Sequence, residues 1–178
     1  MKLLVIDTQK LIVTDALYAF ERFVQHVTTL IEQARLHGVE VIYVRHDDGE
    51  GCELTKGTAG YDIYEAFQPM AHEKIFDKTL NSAFKASGLL EYLQEQEETT
   101  LMICGLQSDY CIDANVKCAF EHGFNVIVPS YANTTVDNAY LSGEESYRYY
   151  NEFMWQHRYA TCVSMPEAIE YLNKNSFK

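Results

Sequence analysis

Three residue types spread along this 178-residue chain could together attack a carbonyl carbon: a cysteine, a carboxylate and a lysine. Cys111 follows the apolar run 101–104 and Gly105, and it stands where a helical pattern opens. At a helix start, unpaired backbone N–H groups and the helix dipole favour negative charge. That is expected to draw the thiol down from ~8.5 and make thiolate available. A thiolate attacks a carbonyl carbon, and N–H groups of the same turn could hold the developing oxyanion. Asp7, at the end of the apolar run 3–6, could take the thiol proton. Lys78 could keep Asp7 ionised and add positive potential beside the sulfur. The expected catalytic set is Asp7 as base, Lys78 as orienter and Cys111 as nucleophile. Singly, each has a plainer use: an Asp caps loops, a Lys is solvated, a Cys is a small hydrophobe. The case rests on their falling at the same edge of one sheet.

That edge follows from the pattern of elements. The run 3–6 shows no polar alternation, which is the pattern of a strand buried on both faces, and 39–44, 101–104 and 124–128 read as further strands. Ile75 and Phe76 mark a further strand ending near Lys78, and 160–163 a weak sixth. Phe20, Phe23, Val24, Val27, Leu30, Ile31 and Ala34 recur at helical spacing, and His37-Gly38 stops them. Further helices are expected from Ser87 to about Gln96, from about Cys111 to His122-Gly123, and after Ser164, whose spacing to Glu167 is that of a capping box. The tyrosine-rich segment 142–155 reads as partly helical. Alternating strands and helices imply right-handed crossovers and a parallel sheet covered on both faces. The expectation is a three-layer α/β/α fold with a six-stranded parallel sheet, one domain over residues 1–178. Ligands bind such sheets beyond the carboxyl ends of the strands. The pattern places Asp7, His46, Lys78 and residues 105–111 there.

At these positions the sequence resembles the isochorismatase-like cysteine hydrolases. Val5-Ile6-Asp7-Thr8-Gln9, Asp77-Lys78-Thr79-Leu80-Asn81-Ser82-Ala83-Phe84 and Gly105-Leu106-Gln107-Ser108-Asp109-Tyr110-Cys111 look like that family's three motifs, in its order and spacing. The resemblance implies an Asp7–Lys78–Cys111 triad and a non-proline cis peptide at Leu106–Gln107. It also implies an oxyanion hole made by the N–H groups of Gln107 and Cys111. His46, Phe84 and Tyr110 are expected to line the substrate pocket, although for His46 the residues alone slightly favour a local polar loop residue. The family's isochorismatases cleave a vinyl ether and typically lack this Cys, so its presence implies hydrolysis of a small amide or carbamoyl compound through a thioester. Nicotinamidases share an Asp-Tyr-Cys stretch and hold a divalent metal through an Asp-x-His pair. Arg45-His46-Asp47-Asp48 offers no such pair, so neither metal nor cofactor is expected. Gln107-Ser108 also departs from the small residue and Thr common in the family.

Composition narrows the partners. Lys plus Arg number 14 against 26 Asp plus Glu, a net charge of -12, which disfavours nucleic acid and acidic membrane surfaces. A small neutral or cationic ligand fits better. The opening apolar run, 3–6, is shorter than the ~7–15 residues of a secretion leader. Five cysteines without a C-x-x-C pair suit reduced thiols. Both point to a cytoplasmic protein. The aromatics Tyr140, Tyr147, Tyr149, Tyr150, Phe153 and Trp155 read as interface plus core, in line with a homo-oligomer, dimer or tetramer. The alternative to an enzyme is a ligand-binding or interaction protein that keeps the fold. A phosphatase or receiver is disfavoured by Gln9 where a second carboxylate would stand and by Lys78 where a phospho-acceptor Asp would. No G-x-G-x-x-G follows the first strand.

Overall fold

In the computed structural model, which describes residues 1–174, the apolar runs become the strands of one parallel sheet. They are β1 (Lys2–Ile6), β2 (Glu40–His46), β3 (Lys74–Lys78), β4 (Thr100–Leu106), β5 (Asn125–Pro129), β6 (Asn133–Thr134) and β7 (Thr161–Val163). The order across the sheet is β3-β2-β1-β4-β5-β7, and β6 pairs with the end of β4. Six strands on the main path match the expected number. The two-residue β6 was not expected, because Asn133 and Thr134 are polar and leave no apolar run to read.

Alternation along β1 divides the core into two layers. Leu3 and Val5 pack on one face with Phe23, Val27, Leu30 and Ala34 of α1 (Phe20–Leu36). Ala168 and Leu172 of α5 (Met165–Lys174) share that face. Leu4 and Ile6 pack on the other with Leu89 and Leu93 of α2 (Leu89–Glu95), and Val116 and Ala119 of α3 (Asp113–Glu121). The expected three-layer arrangement is thus present, with strands apolar on both sides because both sides are covered.

Helix ends differ from the sequence reading in instructive ways. α1 ends as expected, with His37 as its cap and Gly38 at φ 67°. Ser87 is expected to cap α2; Gly88 takes the cap position, and the Ser87 hydroxyl still accepts the Leu89 N–H at 3.1 Å. The helix expected from Cys111 begins earlier, as a π-helical turn over Ser108–Ile112 that runs into α3. The tyrosine-rich segment forms α4 (Gly143–Arg148) and a second π-helical turn, Tyr149–Met154. Tyr147 and Trp155 join the core, whereas Tyr140 and Phe153 stand exposed. No helix among the described residues is long and apolar enough to cross a membrane.

Candidate active site

Asp7, Lys78 and Cys111 meet beyond the carboxyl ends of the strands. β1 and β4 are neighbours, but the chain leaves β1 towards α1 on one face and β4 towards α3 on the other. A crevice opens at such a switch point. Asp7 follows β1 and Cys111 follows β4, so both border it. Lys78 ends β3, two strands away from β1, or roughly 10 Å at the usual spacing. Its long side chain crosses β2, whose last residue, His46, is the register partner of Lys78.

The Lys78 ammonium arrives fully buried. Nζ lies 2.7 Å from Asp7 Oδ2, 2.9 Å from His46 Nδ1 and 3.3 Å from Cys111 Sγ. Three N–H donors thus face three acceptors. An ammonium cannot accept, so His46 Nδ1 accepts and Nε2 carries the hydrogen donated to Asp48 Oδ1 at 2.9 Å. His46 therefore belongs to the site as a partner of Lys78. Its backbone is bracketed by the buried Gln9 amide, which donates to the His46 carbonyl at 2.9 Å and accepts its N–H at 2.8 Å. Gln9 stood in the first motif, but nothing in the sequence assigned it this clamp.

The electrostatics bear on both Asp7 and Cys111 and correct one expectation. Burial pushes the Asp7 carboxyl above its ordinary range, against the downward pull of Lys78, so Lys78 offsets burial without overcoming it. Burial likewise pushes the Cys111 thiol up to about 12, with the Asp7 charge adding to it and Lys78 opposing. A helix start implies a lowered thiol, and desolvation outweighs that effect here. Cys111 also sits in the fourth position of the π-helical turn rather than at the first turn of α3. Its sulfur needs a base, and among the described residues the buried Asp7 Oδ1 has no hydrogen-bond partner to keep it from serving.

The turn that carries Cys111 is held from all sides. Gly105 takes φ 122°, and a Cβ there would lie 1.9 Å from the Ile6 carbonyl oxygen, so only glycine permits this approach of β4 to β1. The Leu106–Gln107 peptide is cis, as the resemblance implied. The Gln107 carbonyl accepts N–H groups of Tyr110 and Ile112, both at 3.1 Å. Ser108, fully buried, donates to Asn133 Oδ1 at 2.7 Å, and Asn133 exchanges hydrogen bonds with Asn151 at 2.9 and 3.0 Å. This is the use of β6: it carries Asn133 under the turn. Asn115, one turn after Cys111, donates to the Cys111 carbonyl at 2.7 Å and to the Asn81 carbonyl at 3.0 Å.

A cleft of about 260 Å³ opens over the sulfur, with Ile12, Leu54, Leu106 and Tyr110 supplying apolar surface and Asn81, His46 and Asp48 polar groups. Tyr110 stands at its lip, 54% exposed. Phe84 does not reach it: the ring packs in the core against His122 and Phe124, with centroids 5.8 and 5.9 Å away. Its apolar character, which made it a pocket candidate, is spent on the layer beneath. All five cysteines are free, and Cys104 is sealed within β4.

One donor set could face a cation. A carboxylate oxygen of Asp7, a ring nitrogen of His46 and the Cys111 sulfur lie within 4.8 Å of one another. The Lys78 ammonium already sits against all three. While it does, the set does not fit a metal ion.

Comparison with known proteins follows the same residues. Residues 2–154 match the isochorismatase domain family model. Streptothricin hydrolase of Streptomyces noursei is 29% identical over 137 residues, 76% of this chain and 50% of that protein. Maleamate amidohydrolase of Pseudomonas putida is 38% identical over 76 residues, 43% of this chain and 36% of that protein. An isochorismatase-family structure from Chromobacterium violaceum superposes with a TM-score of 0.89 at 22% identity, covering 97% of this chain and 93% of its own. The chain spans about half the length of the curated relatives it matches first.

Proposed function

The chain belongs to the isochorismatase family, and from that premise we propose that it is a cysteine hydrolase that cleaves the C–N bond of a small amide or carbamoyl compound. The observation that carries this reading is the meeting of Asp7, Lys78 and Cys111 at the floor of one cleft. The relatives named above, hydrolases of streptothricin and maleamate, favour it.

The chemistry runs in two halves. The substrate carbonyl enters over Cys111, and Asp7 takes the thiol proton as Sγ bonds to the carbonyl carbon. The high proton affinity of the thiol means that transfer accompanies attack rather than preceding it. Backbone N–H groups of Gln107 and Cys111 hold the oxyanion. The tetrahedral intermediate collapses, the C–N bond breaks, and Asp7 returns its proton to the leaving nitrogen. A thioester on Cys111 remains. Water then gives a proton to Asp7 as its oxygen bonds to the acyl carbon. The C–S bond breaks, and the Asp7 proton returns to sulfur. The sum is amide plus water giving carboxylic acid plus ammonia. Raised proton affinity suits Asp7 to this work, since it must hold a proton between the steps of each half. Lys78 fixes carboxylate and sulfur in one geometry.

The proposal extends to a single-domain cytoplasmic enzyme that assembles as a homo-oligomer, its exposed Tyr140, Tyr149 and Phe153 being surface that an interface would cover. Ammonia release over a panel of primary amides and carbamoyl compounds tests the activity. Turnover that disappears in Cys111→Ala supports it. A panel that stabilises the fold thermally without any turnover would instead favour a binding protein.

A further inference from the structure

The cleft over Cys111 is electrostatically one-sided. No lysine or arginine is among its lining residues, whereas Asp48 is. The nearby cations are committed elsewhere: Arg45 grips Asp77 with two hydrogen bonds of 2.8 and 3.1 Å, Lys56 lies 3.7 Å from the same carboxylate, and Lys10 lies 3.0 Å from Glu65. Lys78 is neutralised by Asp7 at 2.7 Å.

Among the described residues Asp48 has no such partner. Its carboxylate, among the described residues, accepts only from His46 Nε2, whose ring is already an acceptor for Lys78 and brings no compensating charge in this tautomer. The neighbouring Asp47 is different, because its carboxylate is tied into the loop by Thr55 at 2.7 Å and the Gly49 N–H at 2.9 Å. Asp48 is also held in place, since its N–H donates to the Leu54 carbonyl at 2.9 Å, closing a loop whose two ends both line the cleft. A fixed, half-exposed carboxylate without a cation therefore faces the substrate, in a chain of net charge -12.

Resting on the hydrolase reading, we infer that the substrate is an amide with a cationic group, an ammonium or guanidinium, on the acyl side, and that Asp48 is the residue that selects it. A carboxylate-bearing amide would meet Asp48 with no arginine or lysine to receive it. The aromatic face of Tyr110 at the lip offers a second attraction for a cation.

Three amides of one shape and three charges test this: β-alaninamide as cation, butyramide as neutral compound and succinamate as anion. The expected order of kcat/KM is cation, neutral, anion, with about tenfold or more between the extremes at low salt and less at high salt. Asp48→Asn, whose amide oxygen can still accept from His46, should collapse the ratio towards one, and Asp48→Glu should keep it. A second measurement does not depend on turnover: the rates at which cationic and anionic methanethiosulfonates modify Cys111, mapped by mass and normalised to the unfolded chain. Cation preference that is lost in Asp48→Asn supports the inference. Equal rates, or an anion preference in either assay, overturn it. If the thiol selects cations while none of the three amides releases ammonia or acylates Cys111, the selection stands and the hydrolase reading is what fails.

Discussion

His46 Nδ1 accepts a hydrogen bond from Lys78 Nζ at 2.9 Å. The bond joins the ends of two neighbouring strands, and it supplies the third acceptor of an ammonium that also holds Asp7 and Cys111. Without His46, one donor of a fully buried cation would go unpaired. Hydrogen bonds to charged groups are worth about 1.5–3 kcal/mol. His46→Ala should therefore lower kcat by roughly ten- to a hundredfold. His46→Asn places an oxygen near the Nδ1 position and should recover most of the loss. Steady-state kinetics of the two variants decide the matter: equal losses would show that His46 merely fills space.

The pH behaviour follows from burial. Asp7 sits above its ordinary 3.8, so activity should fall as pH drops through a value higher than that. The folded Cys111 thiol, at about 12, keeps its proton long after an ordinary thiol near 9.0 has lost it. Its alkylation by iodoacetamide should climb about tenfold per pH unit through pH 10, while the unfolded chain levels off near its ordinary thiol range. By the same linkage, the folded state loses stability as pH rises from 9.0 towards about 12, because the unfolded thiol ionises first. A plateau in Cys111 alkylation near neutral pH would mean a resting thiolate and would contradict the site described.

Gly105→Ala should be severely destabilising. The new Cβ would lie 1.9 Å from the Ile6 oxygen and 2.7 Å from its nitrogen, at a φ of 122°. Backbone strain and overpacking cost about 1–3 kcal/mol each. For a chain of this size that is a fall in Tm of roughly 5 °C or more. Thermal unfolding of the variant measures it, and a shift under about 2 °C would refute the close approach.

Asn133→Ala should loosen the turn under Cys111. It leaves the buried Ser108 hydroxyl and Asn151 Oδ1 without the Asn133 partner, while the Asn151 amide nitrogen keeps the Tyr147 carbonyl. Each orphaned group costs about 1–3 kcal/mol. A lower Tm and a lower kcat are expected together, by calorimetry and steady-state assay. Unchanged kcat in a destabilised variant would show that the network supports the fold without positioning the sulfur.

What the sequence revealed, and what it hid, divides along physical lines. Strands buried on both faces announce themselves as apolar runs, so β1, β2, β4 and β5 were legible within a residue or two. β6 was not, since Asn133 and Thr134 are polar residues placed there to support a turn. Asp7, Lys78 and Cys111 could be read because strand ends and the three motifs positioned them. The proton affinity of Cys111 was misread, because a helix start suggests a lowered thiol and only the folded structure reveals that desolvation of this half-buried sulfur outweighs the effect. Phe84 was misplaced because an aromatic beside a motif looks the same in sequence whether it lines a cleft or a core. Gln9 and Asn115 act through backbone groups of residues 37 and four positions away, and pattern alone carries no trace of such bonds.

The account turns on a covalent acyl group passing through one sulfur. Rapid mixing with an amide that the protein turns over, acid quench and intact mass measurement should reveal a transient acyl adduct. Peptide mapping should place it on Cys111, hydroxylamine should remove it, and Cys111→Ala should show neither adduct nor ammonia. Ammonia release that continues in Cys111→Ala, or an adduct on any other residue, would contradict it.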